Sequence, residues 1–166
     1  MEVANQVAYG GSMLHFKEKP DFGKLVWLDV KTQSENWKDK HFSLDEREKV
    51  ITLLKELSNK WSPNEIFIIS PFKAVSNNLK RDEMISKFVI KENIGTIHTF
   101  QGKEADVVIL VLGGKTSGAR EWAAKKPNLV NVAVTRAKKE LYVIGDIEAW
   151  RSLPYFNILA DFCTVK

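Results

Sequence analysis

Four short apolar runs rich in β-branched residues, Leu25 to Val30, Ile66 to Ser70, Val107 to Leu112 and Leu141 to Ile144, limit this chain more than any other feature. A weaker fifth run lies near Ile94 to Ile97. Being apolar at successive positions, they read as strands that need cover on both faces. Helical spacing fills most of the intervals between them. Ser43 with Glu46 three residues on resembles a capping box, and Val50, Ile51, Leu54 and Leu57 then mark one apolar face. The spacing predicts further helices at about Ala74 to Phe88, Gly118 to Lys125, Leu129 to Lys138 and Tyr155 to Phe162. Strands alternating with helices give an α/β fold, a three-layer α/β/α sandwich with a mostly parallel sheet. One domain is expected over residues 25–166, with residues 1–24 as an N-terminal arm or the remnant of a preceding segment.

A single cysteine, Cys163, rules out an internal disulfide, and His15, His41 and His98 have no metal-ligand spacing, so no metal site is expected. No stretch approaches the roughly 20 apolar residues of a membrane span, and the chain reads as soluble and cytoplasmic. The net charge of +4 is unevenly placed. Residues 1–60 hold ten basic and ten acidic side chains, whereas Lys115 to Lys139 has seven basic residues against one acid, Glu121. A polyanion partner and a merely solvated basic face fit that charge equally well.

Gly113-Gly114-Lys115-Thr116 follows an apolar strand and imitates the end of a phosphate-binding loop. The pattern G-x-x-x-x-G-K-[ST] would require glycine at position 109, which is Ile109. Without the arc between two glycines, backbone N–H groups cannot converge on phosphates, so a flexible turn is expected instead. Asp29 and Asp146, each ending an apolar strand, therefore have no magnesium-bound phosphate to serve. A small-molecule nucleotide enzyme on a doubly wound sheet needs a glycine fingerprint after its first strand, and here Lys31-Thr-Gln-Ser follows.

Two segments carry more polar chemistry than a core requires. The stretch from Gly95 to Asp106 packs Thr96, His98, Thr99, Gln101, Lys103 and Glu104 around Gly102, where a strand ends. Ligands in open parallel sheets bind beyond the carboxyl ends of strands, so this turn is a candidate site, although Thr and Gln could equally cap their own backbone. In the second, Asn128 to Lys139, Val130, Val134 and Ala137 form a buried stripe beside Asn131, Thr135 and Lys138. Arg136 stands between Thr135 and Ala137, uncrowded enough for bidentate phosphate recognition, though an arginine near a helix C-terminus is also ordinary. Trp122 and Trp150 are read as core or as packing against a further domain.

GTIHTFQGKEADVVIL resembles motif V, NLVNVAVTRAKKELYVIGD resembles motif VI, and Ile68-Ile-Ser-Pro-Phe-Lys-Ala74 resembles motif IV of superfamily 1 helicases, particularly their Upf-like branch. The three stand in the family's order. This resemblance implies the second, C-terminal RecA-like domain of an ATP-dependent motor on single-stranded DNA or RNA, with a P-loop NTPase-type fold but no P-loop of its own. It implies that Arg136 is the arginine finger, and that Glu104, Gln101 and Gly102 meet ATP, Glu104 at the ribose. It further implies that Ser70, Pro71, Phe72, Lys73, Thr96, His98 and Thr99 meet the strand. ATP and Mg2+ would be held mainly by an N-terminal RecA-like domain of the same protein, and the 166-residue chain alone would be inactive. Two features depart from the pattern. Asn128-Leu129 stands where the family often has paired arginines, with Lys125 and Lys126 nearby, and the sequence lacks Walker A, Walker B and the second phosphate-facing arginine. A non-catalytic binding module derived from a helicase is the alternative, against which the joint presence of Arg136, Glu104 and Gln101 argues.

Overall fold

A computed structural model describes residues 23–125 and 128–166. The arm expected over residues 1–24 falls almost wholly outside the described residues. Among the described residues the strands form one six-stranded sheet and one short pair. In chain order they are β1 (Lys24–Asp29), β2 (Trp37–Lys38), β3 (Phe42–Ser43), β4 (Ile66–Ile69), β5 (Ile94–Gly95), β6 (Ala105–Val111), β7 (Ala137–Gly145) and β8 (Thr164–Val165). The main sheet has the order β5-β4-β6-β7-β1-β8, every neighbouring pair is parallel, and β2 pairs antiparallel with β3.

Both faces of the central strands are covered. Ile66, Phe67, Ile68 and Ile69 are buried in succession, as are Val107 to Leu112, and since successive side chains point to opposite faces, helices must close both sides. This is the three-layer α/β arrangement. The helices are α1 (Leu44–Leu57), α2 (Lys73–Lys80), α3 (Ser117–Ala124), α4 (Asn128–Arg136), α5 (Ile147–Trp150) and α6 (Phe156–Phe162). Val50, Ile51, Leu54 and Leu57 of α1 are all in the core, as their spacing predicts.

Several local expectations change in the folded chain. Ser43 caps α1, accepting from the Glu46 N–H at 3.0 Å, but the Glu46 carboxyl turns into the core and accepts from the Gly113 N–H at 2.9 Å, so the capping box is only half formed. The reciprocal box occurs instead at Ser62 and Glu65, ahead of β4. Helix α2 stops at Lys80 rather than running to Phe88. Asp82 ends it: its Oδ1 accepts from the Met84 and Ile85 N–H groups and its Oδ2 pairs with Arg47 of α1, which starts a separate short turn. Likewise α4 ends at Arg136 and the chain passes directly into β7, because Ala137 pairs with Ala105 at the start of β6. The charged pair Lys138-Lys139 sits exposed on that strand and looks helical only in isolation.

Candidate ATPase and nucleic-acid sites

The 95–106 segment crosses the sheet edge to edge. It leaves the carboxyl end of β5 at Gly95, makes a 3-10 turn over Ile97–Phe100, and reaches the amino end of β6 through Gln101 to Glu104. Phe100, fully buried, pins this turn by packing against Phe67 of β4, with ring centroids 4.6 Å apart and the rings tilted by 33°. Gly102 has φ +76 and open space where a Cβ would go, so backbone conformation alone demands glycine there. Gln101, Lys103 and Glu104 are exposed beside it. Thr99 is not free to reach outward, since it packs so closely on Gly95 that a Cβ there would collide with its hydroxyl.

Helix α4 spans the sheet as that segment does, from Leu129 at one edge to Arg136 at the other. The two positions are seven residues apart, roughly 10 Å along a helix. Arg136 is half-buried, and its Nε donates to the Phe100 carbonyl at 2.9 Å. Thr135 supports it: the hydroxyl donates to the Asn131 carbonyl at 2.7 Å and lies 3.4 Å from Arg136 Nη1. Arg136 and Glu104 therefore immediately precede adjacent, paired strands, β7 and β6, at their amino ends. Only the first half of the 95–106 segment lies at a carboxyl end of the sheet, where ligands bind in open parallel folds.

At the carboxyl edge a different set converges. Pro71 and Lys73 follow β4, Thr96 and His98 follow β5, and Trp122 with Leu129 closes the far side, around a groove of about 230 Å3. A second hollow of about 450 Å3, lined by His41, Phe72 and Ala119, shares Pro71, Lys73 and Trp122 with the first. Lys73 and His98 are exposed. Ser70 and Phe72 are not: Ser70 is fully buried with its hydroxyl accepting from the Phe72 N–H at 3.2 Å, and Phe72 is 5% exposed. Phe72 stacks on His41 with centroids 4.3 Å apart, and Trp122 lies over Phe72 at 6.2 Å with an interplanar angle of 28°. Burial, with Lys40 nearby, holds His41 below the usual imidazole range. Trp150 is core, packed on Phe156, whereas Trp122 is 52% exposed. Trp122 and His41 were not singled out by any motif; a tryptophan between Arg120 and Lys125 is the only local signal.

The phosphate-loop imitation dissolves in its contacts. Gly113 and Gly114 have φ +63 and +84, but the Gly113 N–H is given to Glu46 and the Gly114 N–H to the His41 carbonyl at 3.1 Å. No amide is left to cradle an anion at those two residues. Asp29 and Asp146 are equally committed: Asp29 accepts from the Ile147 N–H at 3.1 Å, Asp146 caps α5 through the Glu148 N–H, and Lys31 pairs with Asp146. Among the described residues no group of His, Cys, Asp and Glu is placed to hold a metal ion. Nor is any described helix long and apolar enough to cross a membrane.

Arg136 is thus joined to the 95–106 turn on the edge opposite the groove shared by the residues after β4 and β5. A family model described as an AAA domain matches residues 2–148. The chain belongs to this family, as a superfamily 1 helicase domain. It is similar to the DNA polymerase alpha-associated DNA helicase A of Saccharomyces cerevisiae, 32% identical over 60% of this chain and 15% of the relative. Helicase sen1 of Schizosaccharomyces pombe is 26% identical over 72% of the chain and 8% of its own length. The regulator of nonsense transcripts 1 of Dictyostelium discoideum is 26% identical over 68% and 9%. This superfamily 1 domain thus spans only a small part of each of these relatives.

Proposed function

We propose that the chain serves as the second RecA-like domain of an ATP-dependent helicase or translocase on single-stranded nucleic acid. ATP would be met on the amino-end face of the sheet, where Arg136 offers a cation and Glu104 an exposed carboxylate beside Gln101 and Gly102. That set suits contact with a nucleotide already held elsewhere: it has one guanidinium for a phosphate and one carboxylate for a ribose hydroxyl, but no amide cradle and no cluster of carboxylates for Mg2+. ATP and Mg2+ would therefore be bound chiefly by a P-loop domain of the same protein.

ATP supplies the phosphoryl group whose cleavage drives the cycle. Arg136 presents positive charge where negative charge gathers during transfer, a contribution worth about 10³ to 10⁵ in rate in nucleotidases with such fingers. Its Nε bond to Phe100 keeps the guanidinium oriented and ties it to the turn that begins at Thr96. On the carboxyl edge Lys73 and His98 meet the backbone of the strand, Thr96 and Pro71 line its path, and Ser70, Phe72 and Thr99 hold those contacts in place from beneath. Movement of the 95–106 segment or of α4 couples the two edges, since each reaches from the groove to Arg136.

The observation that carries this reading is the Arg136–Phe100 bond, which joins the finger to the strand-facing turn. In the full-length protein Arg136→Ala should reduce strand-stimulated ATP hydrolysis by about 10³-fold or more while single-strand binding persists. Phosphate release and anisotropy measure the two separately, and normal turnover in the variant overturns the assignment. A non-catalytic module predicts no strand-stimulated turnover even in the unsubstituted protein.

A further inference from the structure

Helix α2 carries a run of positive charge that continues past the last residue of the motif-like segments, Ala74. It starts in the groove, because Lys73, its first residue, borders both hollows on the carboxyl edge. Val75, Ser76 and Leu79 form its buried side. Lys73, Asn77, Lys80 and Arg81 stand at i, i+4, i+7 and i+8, which makes one stripe on the opposite side. Arg81 belongs to that stripe because its own backbone is still in the right-handed helical region. Lys73 and Arg81 are exposed, and Asn77 and Lys80 are half-buried. The flank beside the stripe is closed: Asn78 donates to Asp39 Oδ2 and to the Ala74 carbonyl, both at 2.8 Å.

Solubility alone does not require such a helix. A solvated face mixes signs, as α1 does with Asp45, Glu48 and Glu56 among Arg47, Lys49 and Lys55, whereas α2 has no acid at all. The acids at its sides are already engaged, Asp39 by Asn78 and Asp82 by Arg47, and Glu83 lies past the helix end. Among the described residues Lys73, Lys80 and Arg81 form no ion pair with a carboxylate. An all-positive stripe fits a polyanion. We infer that α2 is a track for the sugar-phosphate backbone: a single strand held at Lys73 continues along the helix, with Lys80 and Arg81 on phosphates further on and the Asn77 amide between. From Lys73 to Lys80 is seven residues, about 10 Å along a helix, which covers roughly three nucleotide steps at a stacked spacing of about 3.4 Å. An acidic peptide would match the charge as well; continuity with the groove at Lys73 favours the strand. Resting on the function proposed above, the track lengthens the strand site through phosphate contacts alone, so it carries no sequence preference.

The test measures anisotropy of the full-length protein, without nucleotide, on labelled oligo-deoxythymidines of graded length and at graded salt. The double variant Lys80→Gln with Arg81→Gln keeps much of each stem and removes both charges. On long strands it should weaken binding about tenfold or more at low salt and lower the log–log salt slope by about 1.4, about 0.7 for each lost contact. The strand length at which affinity stops rising should fall by roughly three nucleotides. Strands too short to pass Lys73 should bind the variant and the unsubstituted protein alike. Lys80→Arg with Arg81→Lys should keep full binding. Lys55→Gln, at an exposed position of α1, controls for net charge and should leave the slope unchanged. Unchanged affinity and slope of the double variant on long strands overturn the track. So does an equal loss on the shortest strands, which would put the two charges in the groove or its fold, or a slope change per charge as large in Lys55→Gln. Unaltered strand binding with weakened binding of polyglutamate overturns it too, in favour of an acidic protein partner. A strand response to Lys73→Gln but not to the double variant sinks this inference alone. If the unsubstituted protein binds no strand, the proposed function falls and takes the track with it.

Discussion

Glu46 shows how far one side chain can depart from its local pattern. Three residues after an N-cap serine it reads as the second half of a capping box, yet it is buried at 2% exposure and bonded to the Gly113 N–H. Burial, against the help of that N–H and with Asp146 and Asp45 adding repulsion, pushes its carboxyl up to about 8. The protonated form is favoured in the folded chain, so this group's stabilisation is complete below its unfolded value of about 4.5 and is lost as pH rises through 8. The loss can approach about 1.4 kcal/mol per pH unit within that window. Glu46→Gln keeps an oxygen for Gly113 and carries no charge. Urea denaturation at pH 5 and pH 9 should show a smaller fall in stability for the variant than for the native chain; equal falls would place the titration elsewhere. Arg136 has an equally specific geometry, with Nε bonded to the Phe100 carbonyl and Nη1 beside the Thr135 hydroxyl, and in the proposed function the same guanidinium meets a phosphate. Arg136→Lys keeps charge but not that geometry, and strand-stimulated hydrolysis should drop at least about 10²-fold in phosphate-release assays.

At the level of elements, the loop after β6 is set by two left-handed residues, and its sequence resembles a phosphate loop for a reason unrelated to phosphate. Gly113 must take φ +63, and a Cβ there would collide with the His41 carbonyl oxygen, which is backbone and cannot step aside. Gly113→Ala should therefore cost about 3 kcal/mol or more, read from the denaturation midpoint. Gly118→Ala, in the first turn of α3 with open space around its Cβ position, should be neutral or stabilise by up to about 1 kcal/mol. A similar cost for both would mean the loop is not held as described. The helix boundaries follow the same logic: α2 ends because Asp82 finds Arg47 on another helix, and α4 ends because Ala137 finds Ala105 on another strand. Neither partner is visible within a local window.

For the whole molecule, the two proposed ligand faces are opposite edges of one parallel sheet, bridged by the 95–106 segment and by α4. The 166-residue chain, having no G-x-x-x-x-G-K-[ST] pattern, should release no phosphate from ATP and should bind single strands weakly and with strong salt dependence. Turnover by the purified chain would contradict the division of labour proposed here. Much of this architecture was legible in the amino-acid order. Fully apolar runs such as Val107 to Leu112 demand cover on both faces, and that alone selects the three-layer α/β class; the joint order of the three motif-like segments selects the helicase family. Arg136 could be picked out by its motif, but its bond to Phe100 joins residues 36 positions apart and has no local trace. Tertiary structure alone decided which side chains reach the surface: it sank Phe72, exposed Trp122, buried Glu46 and split one motif between two sheet edges. Periodicity encodes which residues must leave water, because that is a property of each residue and its near neighbours. Which surface each remaining residue joins depends on strand order and crossover, and those are fixed only when distant segments pack.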